Sequence, residues 1–143
     1  MLADDRLGPI KKWGFLVKDL DEAMESWVKD LGVGPWWGYR NVLAKAYVDG
    51  EESDIVMSVG LAYHQGMQIE LIHQTNDATS PYSYFYRDSE DAQVLQQIAD
   101  MVSDVAAAVA DCQERGMHEI GRIAPMPGLE YVYMSSPPFK GLA

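Results

Sequence analysis

The chain has 143 residues, with 11 Lys and Arg against 22 Asp and Glu, a formal charge of −11 at pH 7. Hydrophobic residues make up 48% and charged residues 23%, a balance that excludes overall disorder and fits one folded domain. The acid excess argues against nucleic acid and anionic membrane as partners, since both want a basic face, and the lone Cys112 excludes a disulfide framework.

Met1–Asp5 carries no apolar leader, and no run of eighteen apolar residues suggests a membrane span. A cytoplasmic setting is therefore expected. Residues 10–17 are rich in bulky apolar side chains and predict a strand. Asp19 then reads as a helix N-cap, with Glu22 three residues on. Ala23, Met24, Trp27, Val28 and Leu31 follow at helical spacing, and Gly32 and Gly34-Pro35 stop the helix. Three extended stretches come next, at 38–49, 54–64 and 67–73, separated by Asp49-Gly50 and Gln65-Gly66. Ser80-Pro81 resembles a helix start, and Tyr82, Phe85 and Tyr86 share one face of a short helix over 81–88. Beyond it lie a strand carrying Gln97, a helix capped by Asp104 and ended by Gly116, and short strands near 118–124 and 130–134.

This order contains a repeat. Val17-Lys-Asp19-Leu20 and Val102-Ser-Asp104-Val105 stand 85 residues apart, and each opens a helix closed by glycine. The first unit is β-α-β-β-β. The second repeats it up to Ser135-Ser-Pro-Pro, where two prolines make poor strand material, so the logic of the repeat leaves one last strand missing. The expected fold class is α+β: two tandem βαβββ modules, about 8–74 and 94–143 with a connector at 75–93, in one domain.

Paired modules of this kind resemble the vicinal oxygen chelate superfamily, which includes glyoxalase I, methylmalonyl-CoA epimerase and bleomycin-resistance proteins. The resemblance rests on Lys12-Trp-Gly-Phe-Leu-Val-Lys-Asp-Leu, Leu31-Gly-Val-Gly-Pro-Trp36, Ile69-Glu-Leu-Ile72 and Leu95-Gln-Gln-Ile-Ala99, and is nearest the epimerase-like branch. It implies a sheet curled around a concave pocket, helices outside, and a homodimer. It also implies a metal site at positions 12, 70, 97 and one in the last strand. Here those positions hold Lys12, Glu70 and Gln97, and the fourth would fall past Leu142. A protonated lysine has no lone pair to give a cation. The expectation is therefore no metal and no other cofactor; a metal-dependent member with a divalent ion on relocated ligands is the alternative.

Strand alternation puts residues 12, 14 and 16 on one face, 97, 99 and 101 on the corresponding face of the repeat, and Gln68, Glu70 and Ile72 on one face of their strand. The resemblance implies that these are the concave faces, so that Lys12, Glu70 and Gln97 converge in the pocket. In the catalytic reading Glu70 is a general base, Lys12 supplies the positive charge of the lost metal, and Gln97 donates a hydrogen bond. In the plainer reading an ion pair merely fills the vacated site. Trp36, Trp37 and Tyr39 are expected at the pocket mouth, either stacking on a flat ligand or packing on the first helix or a dimer contact. Met57 and Tyr63 are expected to line one wall, with Met101 on the face of Gln97. Trp13 is expected in the core, and Asp100 stands in a slot where a large apolar residue is usual. The implied function is proton transfer next to a carbonyl in a small, hydrophobic, ring-bearing substrate, as an isomerase, epimerase or lyase. A non-catalytic protein that sequesters a small molecule is the second reading.

Overall fold

A computed structural model describes residues 7–139 and 141–143, so the reading of Met1–Asp5 lies outside the described residues. The elements run β1 (Lys12–Val17), α1 (Leu20–Leu31), β2 (Trp37–Val48), β3 (Glu51–His64), β4 (Met67–Gln74), α2 (Ser83–Asp88), β5 (Gln93–Ala99), α3 (Val105–Glu114), β6 (His118–Met126) and β7 (Leu129–Ser135), with a 3-10 turn at Pro137–Phe139. The strands form one mixed sheet in the order β5-β1-β4-β3-β2-β6-β7. It curls almost into a barrel, as two βαβββ modules should.

Local chemistry sets the boundaries. Asp19 caps α1 by accepting from the Glu22 N–H at 3.0 Å, and Gly32 closes it at φ 67°, where glycine pays no steric cost. Asp104 caps α3 through the Ala107 N–H, also at 3.0 Å. The connector helix starts at Ser83, two residues later than its proline suggests, with the Ser80 hydroxyl accepting from the Tyr82 N–H.

Strand alternation divides the apolar residues into two layers. Val17, Leu20, Ala23, Val33, Ala62, Ile69 and Leu71 pack between α1 and the outer face of the sheet. Leu16, Ala44, Ile55, Met57, Val59, Leu61, Ile72, Phe85 and Ile123 fill the concave side. Trp13 departs from its expected burial: it pairs with Ile98 on the outer face at β5 and β1, beyond the cover of α1, and is 43% exposed.

Among the described residues the sheet has seven strands, and the curl brings β5 and β7 to its two ends. The far edge of β5 is met by the last residue of the chain. The Ala143 N–H donates to Gln96 O at 2.7 Å, and the Ile98 N–H donates to Ala143 O at 2.8 Å. Among the described residues no helix is long and apolar enough to cross a membrane.

Candidate functional site

Three neighbouring strands build the polar heart of the concave face. Gly14 on β1 pairs with Glu70 on β4 on one side and with Gln97 on β5 on the other. The β1–β5 register shifts beside Gly14, so β5 bulges at Gln96–Gln97 and both glutamines are buried. Lys12, two residues before Gly14, shares its face.

The Lys12 ammonium donates to both Glu70 carboxylate oxygens at 3.3 Å, and the Gln97 amide N–H donates to Glu70 Oε1 at 3.4 Å. The side chains of Lys12 and Glu70 are each 12% exposed. Because a carboxylate only accepts, it orients the Gln97 amide with its nitrogen inward. The amide oxygen of Gln97 then has no partner among the described residues, and neither does that of Gln96.

The far wall is phenolic. The Lys12 ammonium stands 4.8 Å from the centre of the Tyr131 ring. Tyr131 and Tyr133 lie on β7, and Tyr39 lies on β2, paired with inward-facing Val59. Burial, then the Glu70 charge, pushes the Tyr39 phenol up to about 12. The same two causes, in that order, raise Tyr131 and Tyr133. Each phenol is thereby held protonated around the carboxylate. Tyr133 is fully enclosed, its hydroxyl bonded to that of Tyr82.

The other expected residues separate into several environments. Trp37, 55% exposed, pairs with Leu61 and shares the concave face with Tyr39 at the mouth. Trp36 belongs instead to the α1 layer: its indole N–H donates to Val33 O at 2.9 Å, and its ring meets Trp27 edge-on. Met57 is buried in the core of the concave side. Tyr63 sits at the exposed end of β3, accepting from the Gln68 amide. Met101 lies two residues past the end of β5 and is 87% exposed, so strand alternation no longer directs it inward. Asp100 is also past the strand, with its carboxylate against Gly8. His73 stacks on Tyr86, and burial lowers its pKa. Tyr131 and Tyr133 were not singled out in the sequence, although their period-two spacing in Leu129-Glu-Tyr-Val-Tyr133 is a signal of a strand face.

The donor set of the site is a poor match for a divalent cation. A carboxylate, an amide and an ammonium held 3.3 Å from that carboxylate do not suit one, because the ammonium repels it and offers no lone pair. Among the described residues no three His, Cys, Asp or Glu side chains gather into an alternative metal site.

Comparison with known proteins adds the lineage. Residues 11–130 match the family model described as glyoxalase/bleomycin resistance protein/dioxygenase superfamily. The structure is similar to methylmalonyl-CoA epimerase from Mycobacterium tuberculosis, with TM-score 0.55, 20% identity, and coverage of 87% of this chain and 84% of that one. It is also similar to a hypothetical protein from Bacillus halodurans, with TM-score 0.55, 14% identity, and coverage of 90% and 94%. No curated protein matches the chain.

Proposed function

We propose that this chain, which belongs to the glyoxalase/bleomycin resistance/dioxygenase superfamily, moves a proton at a carbon next to a carbonyl, as an isomerase, epimerase or lyase without a metal. The observation that carries the reading is the Lys12 ammonium, 3.3 Å from both oxygens of Glu70. In the resting site the two charges cancel. When Glu70 takes the substrate proton, its negative charge passes to the substrate oxygen, and the ammonium is released to follow it. The attraction to that oxygen therefore grows along the reaction, which is what accelerates it. Gln97 steadies the carboxylate through its N–H.

Charge also speaks to the substrate. The Lys12 ammonium beside Glu70 is already occupied by that carboxylate, and the Lys18 ammonium, over the Phe85 ring, is held by the carbonyls of Phe85 and Ser89. Arg40 is engaged by Asp21, Lys45 by Glu52 and Asp54, and Arg122 by Glu119 and Glu130. A compound rich in phosphate or carboxylate would meet Lys12 already neutralised by Glu70. An uncharged, ring-bearing carbonyl compound fits the apolar lining and the exposed Trp37 and Tyr39.

A suitable probe is one enantiomer of 2-phenylcyclohexanone, which is neutral, carries a ring, and has its most acidic C–H at the stereogenic, phenyl-bearing carbon beside the carbonyl. Uptake of deuterium at that carbon from heavy water should be faster with the protein than without. Glu70→Gln should slow it by about 10²–10⁴. The second reading, sequestration, draws on the exposed aromatic mouth. It wins if the probe binds, the parent exchanges it no faster than heavy water alone, and Glu70→Gln changes nothing.

A further inference from the structure

We infer that Tyr131 is a second proton-transfer group, facing Glu70 across the barrel and delivering a proton to the opposite face of the carbon that Glu70 deprotonates. The inference rests on the proposed function and commits it to inversion, as opposed to elimination. It starts from the strand order. β7 stands four strands from β4, so in a sheet curled almost to closure the two strands face one another across the interior. Tyr131 points inward, because its register partner Ile123 is fully buried on the concave side. The Lys12 side chain bridges the gap, with its ammonium 3.3 Å from Glu70 and 4.8 Å from the Tyr131 ring centre. One cation thus adjoins a carboxylate from one wall and a phenol from the other.

The two groups differ in the state in which they wait. Glu70 is the partner of an ammonium and is ready to accept. Burial and the neighbouring carboxylate keep the Tyr131 phenol protonated and ready to donate. Tyr133 on the same strand is spent on Tyr82 in the enclosed core, whereas Tyr131 is only half-buried and open to a ligand.

The step balances. Glu70 takes the proton, and the C–H electron pair moves into the enolate, whose oxygen Lys12 holds. The enolate re-forms its C–H bond on the other face with the proton of the Tyr131 hydroxyl, leaving a phenolate. Lys12 then gives a proton to the phenolate and takes the one on Glu70, restoring all three groups. No oxidant, reductant or co-reactant is needed.

The test follows two readouts on enantiopure 2-phenylcyclohexanone in heavy water: deuterium at the phenyl-bearing carbon by NMR, and configuration by chiral chromatography. The parent should exchange and invert together. Tyr131→Phe, which keeps the ring over Lys12, should lower the ratio of inversion to exchange by about 100-fold. A merely structural role would lower both equally and leave the ratio unchanged, and that result overturns the assignment. Exchange without inversion in the parent overturns it as well. If the parent does neither, the proposed function itself fails and Tyr131 falls with it.

Discussion

Gln97 lies across Gly14. A Cβ built on Gly14 would stand 2.6 Å from Gln97 Cδ and 2.7 Å from its amide nitrogen, closer than real side chains approach. Gln97 is 3% exposed and has little room to retreat. The missing side chain at position 14 therefore lets an amide from β5 reach over β1 to Glu70 on β4. Gly14→Ala should cost about 1–3 kcal/mol through overpacking. Adding Gln97→Ala should restore part of it, as measured by urea unfolding. Equal stability of Gly14→Ala and the parent would show that the crowding is not real.

The Lys12–Glu70 pair should behave as a buried couple. Lys12→Met or Glu70→Leu alone strands one charge and should cost about 3–5 kcal/mol. The double variant replaces both with apolar groups and should recover most of that loss, because neither charge is then left without a partner. Strictly additive losses in a double-mutant cycle would mean that the two side chains do not meet in solution.

Adjacent tryptophans should part company. Trp36→Ala removes a ring wedged against Trp27 and a hydrogen bond to Val33, and should cost about 3 kcal/mol. Trp37→Ala, at an exposed position, should change stability by no more than about 0.5 kcal/mol. Quenching of fluorescence by 2-phenylcyclohexanone should disappear with Trp37 and survive in Trp36→Phe. The opposite pattern would move the mouth of the pocket to the α1 side.

Alkali should unfold the protein through its phenols. Burial raises Tyr39 to about 12 and also lifts Tyr82, Tyr86, Tyr131 and Tyr133. Between the ordinary tyrosine value of about 10 and these higher values, the unfolded chain has lost protons that the folded chain keeps. Stability must then fall as pH rises through that interval. Tyrosinate absorbance and circular dichroism should change together above about pH 10, and Tyr39→Phe should flatten the fall. A stability independent of pH between 10 and 12 would contradict the burial of Tyr82 and Tyr133.

Divalent ions should leave the protein indifferent. Magnesium, zinc, nickel or cobalt at concentrations that saturate an ordinary site should not raise Tm, since a ligand bound only to the folded state must do so. Lys12→Gln removes the repelling charge and should allow a measurable rise with at least one of them. A rise in the parent, lost on Glu70→Gln, would restore the metal to the mechanism.

Much of this architecture is legible in the sequence because it is local. Asp19 and Asp104 mark their helices through side-chain caps a few residues long, and a strand period of two puts Lys12, Glu70 and Gln97 each on a definite face. The pairing of β4, β1 and β5 that joins those faces is implied by the family resemblance. The failures share a physical cause. Alternation carries Met101 inward only if the strand continues, and β5 ends at Ala99. Trp36 and Trp37 cannot be told apart by composition, since only tertiary packing gives one to α1 and the other to the mouth. Tyr131 belongs to the wall opposite Glu70, and that opposition is created by curling of the whole sheet, which no short window of sequence contains.

The mutual neutralisation of Lys12 and Glu70 has a kinetic consequence. Seen from solution, the cavity is a short dipole rather than a monopole, and its field dies away within a few ångströms of the mouth. An uncharged ligand is then met by diffusion without guidance, so dissolved salt should leave its association rate unaltered.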